Sequence, residues 1–135
     1  EIAMNMAGFG EVGVPTVFVS GDEAAVAEAR ALVPGIEGAV VKWGLEEKEK
    51  LGALSVRKAV SLSPAKAKEV IREAARRAMS KIGSVDPWTV DPPYTMRVQY
   101  TEEKYAAPML TQPDMLAIDE TTVEQVRDSL SDLIF

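Results

Sequence analysis

Two residue types that dominate hydrolytic and metal chemistry are missing, because the 135 residues include no histidine and no cysteine. Without them the chain cannot by itself build a typical zinc site or an imidazole-based triad. Its chemistry has to come from carboxylates, amides, hydroxyls and cations. Glu1 and Asn5 stand four residues apart and would share one helix face, a spacing that is common in isolation. Gly8-Phe9-Gly10-Glu11-Val12-Gly13 matches the dinucleotide fingerprint letter for letter, but that fingerprint must follow a strand and open a helix. Here the glycines lie between a helix-like segment and a strand, with no lysine or hydroxyl spaced for a P-loop, so they read as a helix-to-strand turn. Ser20-Gly21-Asp22 falls at the carboxyl end of an apolar run, where open α/β sheets place ligands. A helix cap and turn accounts for the same three residues.

The elements that must position these groups follow from the pattern. Glu1 to Ala7 tolerates a helix. Val14 to Val19 is an unbroken β-rich run, as in a strand buried on both faces of a parallel sheet. Asp22 is a natural cap for a helix through about Val33, with Val26, Ala29, Leu32 and Val33 inward and Pro34-Gly35 as its stop. Ala39 to Trp43 is a second strand, completing a βαβ unit. Leu45 to Ala53 is charged and reads as a surface excursion. Ser63 caps the clearest helix, Pro64 opens it and Gly83 lies past its end, with Ala67, Val70, Ile71, Ala74, Ala75, Ala78 and Ile82 inward. Ser84 to Pro93 connects to an alternating strand, Thr95 to Tyr100. A short helical piece at Tyr105–Leu110 and a short strand at Met115–Ile118 follow. Thr121-x-x-Glu124 forms a capping box for a closing helix with Val123, Val126, Leu130, Leu133 and Ile134 inward. The expected fold is α/β: a mixed sheet with a parallel βαβ core, flanking helices and an added antiparallel or edge strand in the carboxyl-terminal part. Residues 1–135 read as a single α/β unit, with a βαβ-containing core at 1–83 and a strand and helix region at 84–135.

Composition bounds the function. Hydrophobic residues at 47% and charged residues at 27% suit a folded domain, and no apolar run reaches the roughly 18 residues of a membrane span. The net charge of −6 argues against nucleic-acid binding by bulk charge. The charge is uneven: residues 1–41 carry six acids and one base, 42–81 five and eleven, and 82–135 ten and three. The basic middle is either a solvated helix face with a charged loop or a surface that meets an acidic partner or another subunit. The start at Glu1 and the stop at Phe135, inside an apparent helix, make the chain read as a piece of a longer product.

Taken in order, Glu1-x-x-x-Asn5, Gly13-Val14-Pro15-x-Val17-x-Val19-Ser20-Gly21-Asp22, Ala39-Val40-Val41-Lys42, Arg57-Lys58-Ala59 and Ser61-Leu62-Ser63-Pro64-x-x-Ala67 resemble the carboxyl-terminal half of the D-aminopeptidases of dipeptide-transport operons. That family comprises dinuclear-zinc metallopeptidases, and the resemblance runs from Glu1 to about Ile82, then more weakly through the later strand and closing helix. It implies a cytoplasmic hydrolase that releases N-terminal D-amino acids from short peptides and assembles as a homo-oligomer, with no nucleic-acid or membrane partner. It implies two zinc ions held mostly by the amino-terminal half, with one ligand from a Glu-x-x-x-Asn glutamate that matches Glu1. Asn5 matches the motif asparagine near the site. Lys42 and Arg57 match recurring basic positions, as substrate-carboxylate or supporting residues or as structural salt bridges. The family's histidine ligands and catalytic histidine have no counterparts here, and the Leu45–Ala53 stretch departs from the pattern. A zinc pair about 3.5–4 Å apart polarises the scissile carbonyl and acidifies a bound water. One carboxylate cannot hold such a pair, so the chain alone is expected to be inactive and to need the amino-terminal half as its partner. The alternatives are a non-catalytic α/β assembly or binding domain and, more weakly, a nucleotide- or phosphate-binding domain.

Overall fold

A computed structural model describes residues 1–51 and 54–133, with side chains outside residues 47–57. They fall into two compact units, Glu1–Thr89 and Val90–Phe135.

The first unit opens with α1 (Ile2–Glu11) and is built around a βαβ crossover. Asp22 ends β1 (Phe18–Asp22) and caps α2 (Glu23–Leu32), its Oδ1 accepting the Ala25 N–H at 2.8 Å. That bond satisfies one of the donors a helix start leaves free. After Pro34-Gly35 the chain enters β2 (Glu37–Leu51), parallel to β1 with Phe18 opposite Glu37. β2 pairs with antiparallel β3 (Leu54–Ser61) in the order β1-β2-β3, and α3 (Pro64–Met79) follows.

Alternation along β2 shows how the sheet is covered. Gly38 lies so close to α2 that a Cβ there would overlap Val26. Its neighbour Glu37 accepts from Arg77 of α3 at 3.1 Å and pairs with Lys81 at 2.7 Å. Successive strand side chains point to opposite faces, so α2 and α3 sandwich the sheet. Lys81 and then Arg77 hold the Glu37 carboxyl below its ordinary range by bonding its charged form. Ala74 and Ala78 are buried, and their small side chains bring α3 close to its neighbours. Met6 of α1 is buried with Ala29, Val33, Ile36 and Val85, and Ile2, Val17, Val19, Leu32 and Trp88 pack around them. Each large aliphatic side chain fully withdrawn from water contributes about 1.5–3 kcal/mol.

The second unit carries its own three-stranded antiparallel sheet, ordered β4 (Tyr94–Gln99), β6 (Thr122–Arg127), β5 (Leu116–Ala117). Its core is Ala106, Met115 and Val123, with Val98, Tyr100 and Met109 packed against it. Ala106 comes from the short helix α4 (Glu103–Ala106), which runs into a 3₁₀ turn at Ala107–Thr111.

The mixed α/β class expected from the pattern holds, with five local corrections. The first strand is Phe18–Asp22 rather than Val14–Val19, and as the edge of its sheet it has no buried residue. The charged stretch from Leu45 is no loop: β2 runs on to Leu51 and pairs Lys48 with Arg57 and Leu51 with Leu54. Residues 52 and 53 of that stretch lie outside the described residues. The capping box at Thr121 opens a strand rather than a helix. Val123 and Gln125 are buried on one face of the central strand β6, while Val126 is 43% exposed. Glu124, instead of reaching back to cap, accepts from Arg97 across the ladder at 2.9 and 2.6 Å. Val123, Val126 and Leu130 imitate a helical stripe, but β-branched residues flanked by two strands pay off better as a ladder. Leu133 is half-buried beyond that strand, and Ile134 lies outside the described residues. α1 continues through Gly8 and Gly10, so only Gly13, at φ +74°, forms the turn. Finally, α3 ends at Met79, which leaves Ile82 in the following turn and 58% exposed.

Candidate functional site

Glu1 occupies the cap position of α1 and Asn5 lies one turn further on. The Asn5 side-chain amide donates to the Glu1 main-chain carbonyl at 2.9 Å, the oxygen that also accepts the Asn5 N–H at 3.1 Å. Asn5 therefore fixes the start of the helix. The Glu1 carboxylate makes no capping bond and lines a cleft of about 190 Å³. The helix period of 3.6 residues stacks Glu1, Asn5 and Phe9 on one face, and all three line that cleft. Thr16, Phe18 and Val19 form the opposite wall, with Ile2 and Met6 between. Among the described residues, the Thr16 hydroxyl oxygen is a buried side-chain polar atom with no hydrogen-bond partner. The cleft thus sets the Glu1 and Asn5 side chains against apolar walls, with the Thr16 hydroxyl buried beside them.

Of the four residues singled out from the sequence, the structure brings Glu1 and Asn5 together. Lys42 is exposed on β2, opposite Asp22 on one side and Ser61 on the other. It sits at the far end of β1 from the cleft, about 10 Å beyond Val19 along the strand at roughly 3.3 Å per residue. Arg57 lies on β3 opposite Lys48, further out along the same ribbon, and its side chain lies outside the described ones. Phe9, Thr16 and Phe18 were missed by sequence reasoning. The signal for Phe9 was present, as the next step of four after Glu1 and Asn5, but Thr16 and Phe18 join only when β1 folds beside α1. A second groove, of about 310 Å³, lies between Leu32–Gly35 and Ser84–Trp88, with Asp86 as its single carboxylate.

No set of three or more His, Cys, Asp or Glu side chains able to hold a metal is gathered among the described residues. One carboxylate on a cleft does not make a zinc centre, so the described residues alone do not fit the metal that the resemblance implies. Among the same residues no helix is long and apolar enough to cross a membrane.

The family profile of D-aminopeptidase, peptidase M55, matches residues 1–134, and the chain belongs to that family. Among solved structures it is similar to the Zn-dependent D-aminopeptidase DppA from Bacillus subtilis, a self-compartmentalizing protease, with 24% identity and a TM-score of 0.81. The match covers 96% of this chain and 44% of that one, so the chain spans less than half of that protein's length. At that identity the likeness shows the fold. A search of curated proteins finds no match.

Proposed function

We propose that the chain is the carboxyl-terminal half of a metal-dependent aminopeptidase that releases N-terminal D-amino acids from short peptides. The family match across residues 1–134 carries this reading. In it, Glu1 donates one carboxylate to a dinuclear zinc centre whose other ligands come from the amino-terminal half. The position of Glu1 on a cleft, its carboxylate free of capping duty, supports that role. Asn5 acts by positioning: its amide holds the carbonyl of Glu1 and so the direction in which the helix presents the acid. The apolar walls suit uncharged parts of a small peptide. Lys42 is not among the residues that line this cleft; Lys42 and Arg57 would meet a substrate carboxylate, as cations, in the assembled protein. Assembly as a homo-oligomer belongs to the same proposal, supported by the self-compartmentalizing relative, and a cytoplasmic location is proposed with it.

The test uses the full natural protein. Glu1→Ala should lower both the zinc content, read by elemental analysis, and the hydrolysis of D-alanyl peptides. Unchanged zinc and unchanged turnover would favour a non-catalytic binding or assembly domain instead. Residues Glu1–Phe135 alone should show no hydrolysis with zinc added.

A further inference from the structure

We propose that the outer stripe of α3 on one copy of the protein docks on the exposed face of β5 and β6 in another copy. The proposal rests on the reading above that the working protein is a homo-oligomer.

α3 carries five cations, Lys66, Lys68, Arg72, Arg76 and Arg77, against two acids, Glu69 and Glu73. Lys66 and Arg76 bond those two acids, three residues away along the helix, and Arg77 bonds Glu37. Lys68 and Arg72 are exposed and have no such partner among the described residues. Steps of four and seven residues put Lys68, Arg72 and Met79 on one side of the helix. Met79 is 67% exposed, and Ile82, in the turn that follows, is 58% exposed. The cationic stripe therefore ends in apolar surface.

The second unit offers the complement. Leu116 stands opposite Glu124 in the β5–β6 ladder, and the Ile118 N–H extends that ladder by donating to the Thr122 carbonyl at 2.9 Å. Alternate strand residues share a face. Leu116, Ile118, Glu124 and Val126 thus lie on one side of the sheet, and Val123 and Gln125 on the other. Leu116 is 56% exposed, Ile118 48% and Val126 43%. Diagonal neighbours on a ladder are about 7–8 Å apart, so these three side chains form one patch. Acids bracket it: Asp114 comes two residues before Leu116, Asp119 and Glu120 follow Ile118, and Asp128 comes two residues after Val126. Glu120 and Asp128 have no cation partner among the described residues.

Each surface has an apolar part and a charged surround, the anatomy of a protein interface, and the surrounds are opposite in sign. Opposite charges across a rim select the partner, and like charges reject a wrong one. Both surfaces belong to this chain, so a second copy supplies what each lacks. Because the two surfaces differ, the contact is head-to-tail, and such contacts close into rings when the rotation permits.

Sedimentation velocity and native mass spectrometry of the full natural protein read the assembly. Lys68→Glu with Arg72→Glu sets acids against acids and should raise the apparent dissociation constant at least about tenfold. Glu120→Lys with Asp128→Lys should do the same from the other side. All four changes in one chain should restore assembly, which a misfolded variant could not do. Assembly indifferent to either pair overturns the proposal, as does a fourfold variant that stays dissociated. Benzoylphenylalanine in place of Met79 should crosslink to residues 114–128 of a different copy, resolved by mixing heavy and light protein. A crosslink within one copy, or to residues upstream of Glu1, overturns the proposal. A natural protein that is monomeric removes the homo-oligomer reading and this contact together, whereas an oligomer indifferent to the swaps removes the contact alone.

Discussion

Two glycines in one helix are predicted to respond to the same substitution with opposite signs. Gly8 and Gly10 both lie inside α1, where alanine is favoured over glycine by about 0.8–1 kcal/mol because it loses less backbone entropy. A Cβ at Gly8 meets nothing within 4 Å. Gly8→Ala should therefore stabilise by about 0.5–1 kcal/mol. A Cβ at Gly10 would overlap the main-chain carbonyl of Trp88. That carbonyl cannot rotate away as a side chain would, so α1 must part from the segment at Trp88. Overpacking of this kind costs about 1–3 kcal/mol, and after the gain in helix propensity about 1–2 kcal/mol of net loss remains. Urea unfolding followed by Trp88 emission in a Trp43→Phe background reports the first unit directly. At this chain length each kcal/mol also moves the melting temperature by roughly 3–5 °C, so the two variants should melt on opposite sides of the parent. If Gly10→Ala proves as stable as Gly8→Ala, α1 does not approach Trp88 as described, and the placement of Glu1 by that helix falls with it.

Other expectations follow from single contacts. Asp22→Ala should cost about 1 kcal/mol in urea melts and Asp22→Asn only a few tenths, because the Ala25 N–H needs an acceptor and not a charge. Glu37 has a folded pKa lowered by Lys81 and Arg77, so its stabilisation is complete above its unfolded value and fades as pH falls through the folded one. Glu37→Gln should flatten the acid limb of stability against pH and match the parent at its acid end. Val26, 1% exposed between α2 and Gly38, should lose about 2 kcal/mol on truncation to alanine in denaturant titrations.

Local chemistry determined much of this molecule. Asp22 and Ser63 cap their helices as their types require, and Pro64 opens α3, because these signals act within one turn of backbone. The βαβ order and the parallel pairing of β1 with β2 followed from an apolar run, an amphipathic helix and a second apolar run. The Glu1 and Asn5 pairing was legible too, since a step of four residues places them on one helix face.

Only the tertiary structure decided the rest. Thr122–Arg127 carries both a helical stripe and β-branched residues, and pairing on both sides made it the middle of a sheet. Gly10 looked like turn material until the approach of Trp88 showed why a helix needs a residue without a Cβ there. Thr16 and Phe18 became cleft residues because they fold beside α1, and Lys42 does not line the cleft because it lies opposite Asp22, at the other end of β1. Caps, turns and periodicities are free energies of neighbouring residues, and a sequence states them directly. Which walls meet across a cleft depends on contacts between residues far apart in the chain, and those exist only once the sheet and its helices have packed.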